Sequence, residues 1–377
     1  MMSARLAGFA AGSLLLSASL VARAEPMDPA IERLVQNPQE CLSGDGLGRY
    51  TPTQGANGMS LACRPDNVAF KRLVNQLGFA LAPTAMHSAR TTGYGGFNLA
   101  LEATYTKISS SADYWKRGTE GPVDPSTNNA STVNSSPQAL LQQYSLKLRK
   151  GFGFGLEITG VVGFMPKTSI INGGADVRMA LLEGFRTGVM GIFPDVAVGG
   201  GVRTITGTPE LQLTTVGLDV QISKPLTIQD QSVLTPWIGY QYLWIFGDSG
   251  LVDLTPGTNA TGYCNYAGSN IPGNPDPNKT YKDPGTNVVH NVYDGQPVCK
   301  GGGSPSDFNN NTVFNPVRLH RQRLMFGLNY RYEMVMAGAQ FITDLLSPGD
   351  SNTGSNKADL KDEDRQWTLV LELGAMF

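Results

Sequence analysis

From Gly93 onward, hydrophobic and polar positions alternate with a period of two in ten separate runs. The first run sets Phe97, Leu99, Leu101, Ala103 and Tyr105 against Asn98, Ala100, Glu102 and Thr104. A period of two marks a β-strand whose two faces meet different surroundings. Clear runs of the same kind lie at Gln143–Arg149, Leu156–Phe164, Val216–Ile222, Ile238–Phe246, Leu324–Tyr332, Val335–Phe341 and Gln366–Phe377. Two weaker ones, Asp176–Phe185 and Val196–Thr206, are blurred by glycine and mixed residues. Ahead of them the period is helical: Val68, Phe70, Leu73, Val74, Leu77 and Leu81 recur at helix spacing, with Asp66 placed as an N-cap and Pro83 as a stop. Asp28 to Gln36 has shorter helical character.

Alternation also suits a soluble sandwich, whose apolar face points into a core. Three features favour a membrane barrel instead. The apolar faces are bracketed by Tyr, Trp and Phe while the opposite faces carry Gly, Gln, Asn and charges, as lipid outside and water inside require. The runs are long enough for the nine to eleven residues of a tilted spanning strand. The connections alternate short and long, with turns near 150–153 and 332–334 and long loops at 109–137, 247–315 and 347–364. Outer-membrane barrels sort their loops in this way, with short periplasmic turns and long external loops. Connections 186–194 and 206–209 fit that scheme poorly, so eight or twelve strands remain open beside ten. The expected fold is all-β: a transmembrane antiparallel up-and-down β-barrel of about ten strands with a short helical N-terminal segment.

The N-terminal residues agree with that destination. Arg5, an apolar stretch from Leu6 to Val21 and Ala22-Arg23-Ala24 read as a secretory signal peptide cleaved after Ala24. Beyond it no window of 18 or more apolar residues offers a membrane helix. The division expected is a signal peptide at 1–24, a periplasmic helical segment at 25–92 and the barrel at 93–377. The amphipathic helix of that segment could plug the barrel mouth, pack on the periplasmic rim or lie on the membrane. Lys71 and Arg72 are too sparse for a lipid-binding face, and a structural cap is the favoured reading.

The last run, Trp367 to Phe377, resembles the C-terminal assembly signal of Gram-negative outer-membrane β-barrel proteins. That family ends on an aromatic residue preceded by apolar residues at alternate positions, here Leu369, Leu371, Leu373 and Ala375 before Phe377. The resemblance implies insertion into the outer membrane by the barrel-assembly machinery, with outer-membrane lipid as a further partner. It covers about a dozen residues and specifies no functional family.

Composition changes little. The chain carries 29 Lys+Arg against 31 Asp+Glu, a balance with no basic excess for nucleic acid. Four cysteines, Cys41, Cys63, Cys264 and Cys299, suit an oxidising compartment. Their positions suggest two local disulfides, Cys41–Cys63 and Cys264–Cys299, over a metal site, for which close Cys or His partners are missing. No cofactor is expected. His87, His290 and His320 are the three histidines, none clearly placed beside a nucleophile and a carboxylate, so catalysis is not expected.

The inward phase of the strands carries the informative chemistry. Glu102, Lys147, Arg149, Glu157, Arg178, Arg203, Asp219, Arg331 and Glu372 are expected to line the lumen. Glu102, Lys147, Glu157 and Glu372 should share one depth, because the last strand closes on the first. Such a mixed-sign ring either pairs and fills a narrow interior or lines a selective pore for small solutes or ions. The functional expectation is a narrow or gated channel or transport-related barrel. The alternative is a structural or adhesin-like barrel with a closed lumen and partner-binding loops, for which the Asn/Gly/Pro-rich 247–315 loop with its tyrosines is the candidate surface. An outer-membrane enzyme ranks below both, and the oligomeric state is left open.

Overall fold

A computed structural model describes residues 25–36, 64–123, 133–184, 193–228, 232–254, 264–266, 280–282, 289–291, 297–299 and 311–377. Ten strands form the wall: β1 Phe97–Lys107, β2 Leu140–Gly151, β3 Leu156–Phe164, β4 Ile171–Leu182, β5 Asp195–Thr206, β6 Leu211–Ser223, β7 Ser232–Ser249, β8 Val317–Tyr332, β9 Val335–Asp344 and β10 Trp367–Met376. Each pairs antiparallel with the next, and β10 returns to pair with β1, so the sheet has no free edge. A short strand, Leu226–Ile228, folds onto the start of β7. Closure is completed at the C-terminus, where Phe97 and Phe377 exchange backbone hydrogen bonds of 3.0 and 2.7 Å. Full closure matters in a bilayer, where an unpaired backbone group would have no water to satisfy it.

The alternation along each strand becomes two surfaces. Leu101, Leu148, Val162, Leu218, Leu328 and Leu373 are exposed on the outside, whereas Glu102, Lys147, Arg149, Glu157 and Glu372 are buried inside. Aromatic pairs on the outer face, such as Tyr144–Phe164 with ring centroids 5.8 Å apart and Phe341–Trp367 at 6.0 Å, supply the amphipathic belts that sit at membrane interfaces. His320 lies beside Tyr242 and Trp244.

The interior is not empty. The helix read from the sequence forms as α1, Asn67–Leu81, and the Asp66 side chain caps it by accepting from the backbone N–H groups of Val68 and Ala69. Pro83 follows directly after it. A single 3₁₀ turn, Ile31–Arg33, is all that forms of the shorter helical stretch. Of the three placements open to this helix, it takes the plug: α1 lies inside the barrel, at the end bearing the long loops. There α1 packs on β6, β7 and β8. The approach is close enough to select glycine. A Cβ on Gly78 would lie 2.5 Å from Ile245, and one on Gly247 would lie 2.5 Å from Val74.

The placement has a physical reason. The inward residues of the strands at that end are apolar (Leu141, Leu211, Leu213, Leu243, Ile245, Val317 and Leu319) and form one cluster with Phe70, Leu73, Val74, Leu77 and Leu81 of α1. Burial of those five helix side chains contributes on the order of 10 kcal/mol at roughly 2 kcal/mol each. A helix lying on the rim or on the membrane would leave that wall wet.

Loops close over the helix. The connection between β1 and β2 contains α2, Asp113–Arg117, and that between β9 and β10 contains α3, Gly354–Asp359. Buried Gln76 of α1 ties both loops down: its amide nitrogen lies 2.7–2.9 Å from Ser109 Oγ, Tyr114 OH and Glu363 Oε2, which share its two protons, and its oxygen accepts from Trp115 Nε1 at 2.8 Å. Lys71 pairs with Asp359, and Phe70 stacks on Phe314 at 4.7 Å.

Of the expected disulfide positions, Cys41 and Cys63 lie outside the described residues. The short strands Cys264–Tyr266 and Pro297–Cys299 pair with Cys264 opposite Cys299, and their side chains also lie outside what is described. Most of the 247–315 loop lies outside it as well.

Candidate functional site in the barrel interior

Below α1 the chain continues from Ala82 to Thr92 through the lumen without helix or strand, bending several times, and wall side chains capture its backbone carbonyls. Gln241 donates to Pro83 O at 3.2 Å, Gln340 to Thr84 O at 2.8 Å and Gln221 to Ala85 O at 2.8 Å. Ala85 takes a left-handed backbone angle, φ 48°, and its carbonyl oxygen accepts that bond from Gln221. Non-glycine residues adopt this region at a cost, which the surrounding bonds must hold in place.

Around this segment sit the charges read from the sequence. Glu102 and Glu372 face each other across the β1–β10 register. The Lys147 ammonium donates to Glu102 and, at 2.8 Å, to Thr84 of the plug; it lies 3.9 Å from Glu372. Arg149 lies 3.5 Å from Glu157 and 3.8 Å from Glu372. These five side chains form one connected network, all within the barrel. Arg178 donates to the carbonyls of His87 and Ser88 and to Gln221, and stands 3.4 Å from Asp219. Arg203 forks onto Asp176, with both bonds at 2.7 Å. Arg331 differs: it is exposed at the short-turn end, with Met376 Sδ at 3.6 Å as its contact. It belongs to the rim rather than to the lumen wall.

Two central arginines are absent from the sequence reading. Arg321 and Arg323 are fully buried on β8, both against the Phe79 ring at 4.7 and 5.0 Å. Arg321 pairs with buried Asp344 and donates to Asn75 of α1 at 2.8 Å, while Arg323 donates to Gln241 and to Pro83 O. Both lie on the inward phase, three and one residues before Leu324, where the apolar alternation used to locate that strand begins. Extending the phase upstream would have found them.

Charges buried in this way must be paired and hydrogen-bonded, since removing one from water costs several kcal/mol. The cavity among Met86, His87, Lys147, Arg178 and Asp219 measures about 10 Å³, room for roughly one water and no more. Apolar packing of α1 above and ionic packing below thus fill the lumen between the long-loop mouth and the level of Arg149. Near the long-loop mouth, burial pushes the Glu32 carboxyl up to about 7, with Arg33 beside it pulling the other way. Among the described residues no group of three or more His, Cys, Asp or Glu is placed to hold a metal ion.

A closed ten-stranded wall, apolar outside and charged inside, defines a membrane-spanning β-barrel of the Gram-negative outer-membrane class. No family model and no curated protein matches the chain. Among solved structures it is similar to the attachment invasion locus protein Ail of Yersinia pestis, at 8% identity and a TM-score of 0.23, covering 75% of this chain and 99% of that one. It is similar too to Omp33 of Acinetobacter baumannii, at 6% identity and a TM-score of 0.23, covering 76% and 100%. OprG of Pseudomonas aeruginosa matches at 9% identity and a TM-score of 0.24, covering 77% and 99%. The assignment to the class rests on the closed sheet and its two surfaces.

Proposed function

We propose that this outer-membrane barrel is closed at rest by its own N-terminal segment and works through the loop surface that the plug holds together. One observation carries the reading: α1 and residues 82–92 occupy the lumen and are bonded to wall and loops on all sides. In this reading α1 is a scaffold. Gln76, Lys71 and Arg72 fix the β1–β2 and β9–β10 loops, so the external face presents an ordered platform to a partner or substratum. The Cys264–Cys299 disulfide is proposed as a brace on the loop above it, and the Cys41–Cys63 disulfide as one within the segment that leads into α1. Phe377, with Leu369, Leu371 and Leu373, is proposed to be read by the assembly machinery during insertion.

The rival is a gated channel, favoured by the polar character of the lower plug, whose contacts are hydrogen bonds and ion pairs that water could replace. Planar-bilayer recording of the refolded full-length protein separates the two. The expected result is an unbroken baseline over the voltage range that the membrane withstands. Stepwise current from the intact chain would favour the channel.

A further inference from the structure

The plug leaves one end of the barrel open. At the short-turn end, beneath the His87–Thr92 stretch, lies a cavity of about 80 Å³ lined by Arg90, Thr92, Arg149, Asn329 and Arg331, with His87 at its inner limit. This is space for several waters or one ion with its oxygens. Three guanidinium groups line it, and none of its lining residues is a carboxylate. The nearest acids stand behind the lining. Glu157 and Glu372 lie 3.5 and 3.8 Å from Arg149 on the lumen side, and Glu183 lies 3.5 Å from Arg90.

The donors of this wall are under-used. Arg149 is 3% exposed; its Nε makes no hydrogen bond and stands 3.5 Å from Glu157 Oε1, an ion pair without a bond, while one terminal nitrogen donates to Met86 O at 3.3 Å. Thr92 Oγ1 and both amide atoms of Asn329 are likewise buried without a partner. Arg331 faces no carboxylate within ion-pair distance among the described residues. Buried polar atoms are nearly always satisfied, so a group of them around one cavity calls for a ligand able to accept several hydrogen bonds at once. Guanidinium donors match tetrahedral oxyanions in both charge and geometry.

We propose that this vestibule binds a single small oxyanion of phosphate or sulfate size. Arg149 forms the floor, Arg331 the entrance, and Asn329 and Thr92 supply neutral donors at the sides. The ion enters from the periplasmic end and goes no further, because the ionic network around Lys147 and the segment 82–92 close the path. The site is therefore a binding pocket rather than a stage of permeation, and it holds whether or not the loops above bind a partner.

The test uses the full-length protein in detergent micelles, titrated calorimetrically with inorganic phosphate at constant ionic strength. The expected result is saturable binding near one ion per barrel, displaced by sulfate and at least tenfold weaker in Arg331→Gln. Arg331 is exposed at the rim, so this variant should keep the folded migration of unboiled protein on a gel. Arg90→Gln, which removes another of the lining guanidinium groups, should weaken binding as well. Glycerol phosphate, bulkier by its ester arm, should compete at least tenfold less well than phosphate. Absence of saturable binding to the intact protein, or binding that both arginine variants leave unchanged, would overturn the proposal. Equal competition by glycerol phosphate would overturn the restriction to a free oxyanion.

Discussion

Replacing Asp344 by Asn is expected to lower the stability of the folded barrel by about 3–5 kcal/mol, the cost of stranding a buried charge. Asp344 and Arg321 are both fully buried, and the carboxylate also accepts the backbone N–H of Gln366 at 2.8 Å. Arg321 reaches from β8 to Asp344 of β9, to Gln366 ahead of β10 and to Asn75 of α1, so it binds wall to plug. With a neutral amide at 344, the guanidinium keeps its desolvation and loses its counter-charge. Exchanging both members, Arg321→Met with Asp344→Asn, should recover part of the loss, since no unpaired ion is left behind. Denaturant titration of refolded protein in lipid measures all three variants. A loss for Asp344→Asn below about 1 kcal/mol, the range of an exposed pair, would contradict the account.

The second large effect is expected at Leu73. Truncation to Ala should cost about 2–5 kcal/mol and leave the plug in place. Aspartate is different in kind, because an ionised carboxylate in the apolar cluster of α1, Trp115, Leu243 and Ile245 has no partner there. The wall has its own closed ladder of hydrogen bonds and persists. The helix is what should yield. Leu73→Asp is therefore expected to expose Lys71 and Arg72 to trypsin and to show current steps, while retaining the compact migration of an unboiled barrel. A variant as silent and as trypsin-resistant as the parent would show that α1 is not the seal.

Much of this architecture is legible in the residues. The wall reads well because lipid and polar interior act on alternate positions of every strand, so even a short run such as Leu156–Phe164 is phased. Helix α1 reads well too, because Asp66 and Pro83 mark its ends. Its location does not, since an apolar stripe says that a face is buried without saying against what.

A signal for the location does exist. On β8 the phase holds while polarity inverts: Leu324, Phe326 and Leu328 point out to lipid, yet upstream Val317 and Leu319 are the buried positions while Arg318, His320 and Gln322 share the outward phase. Leu211 and Leu213 of β6 do the same. Inversion happens where the strand leaves the bilayer and its inner face meets something apolar, which here is the helix. The stretch Leu73–Leu81 carries a second sign, being free of charge and buried throughout, polar Asn75 and Gln76 included. The pairing of Arg321 with Asp344 was hidden for another reason: both lie beyond the apolar alternation from which their strands were recognised.

Residence of the helix inside the barrel is the central claim, and a cross-link tests it most directly. A Cβ on Gly247 would stand 3.4 Å from that of Val74, close to disulfide spacing. In a background with the four native cysteines replaced by serine, Val74→Cys combined with Gly247→Cys should oxidise nearly completely in cells and shift the mobility of the boiled, unreduced protein. Two free thiols that react with a membrane-impermeant maleimide would place α1 outside the barrel and contradict the account.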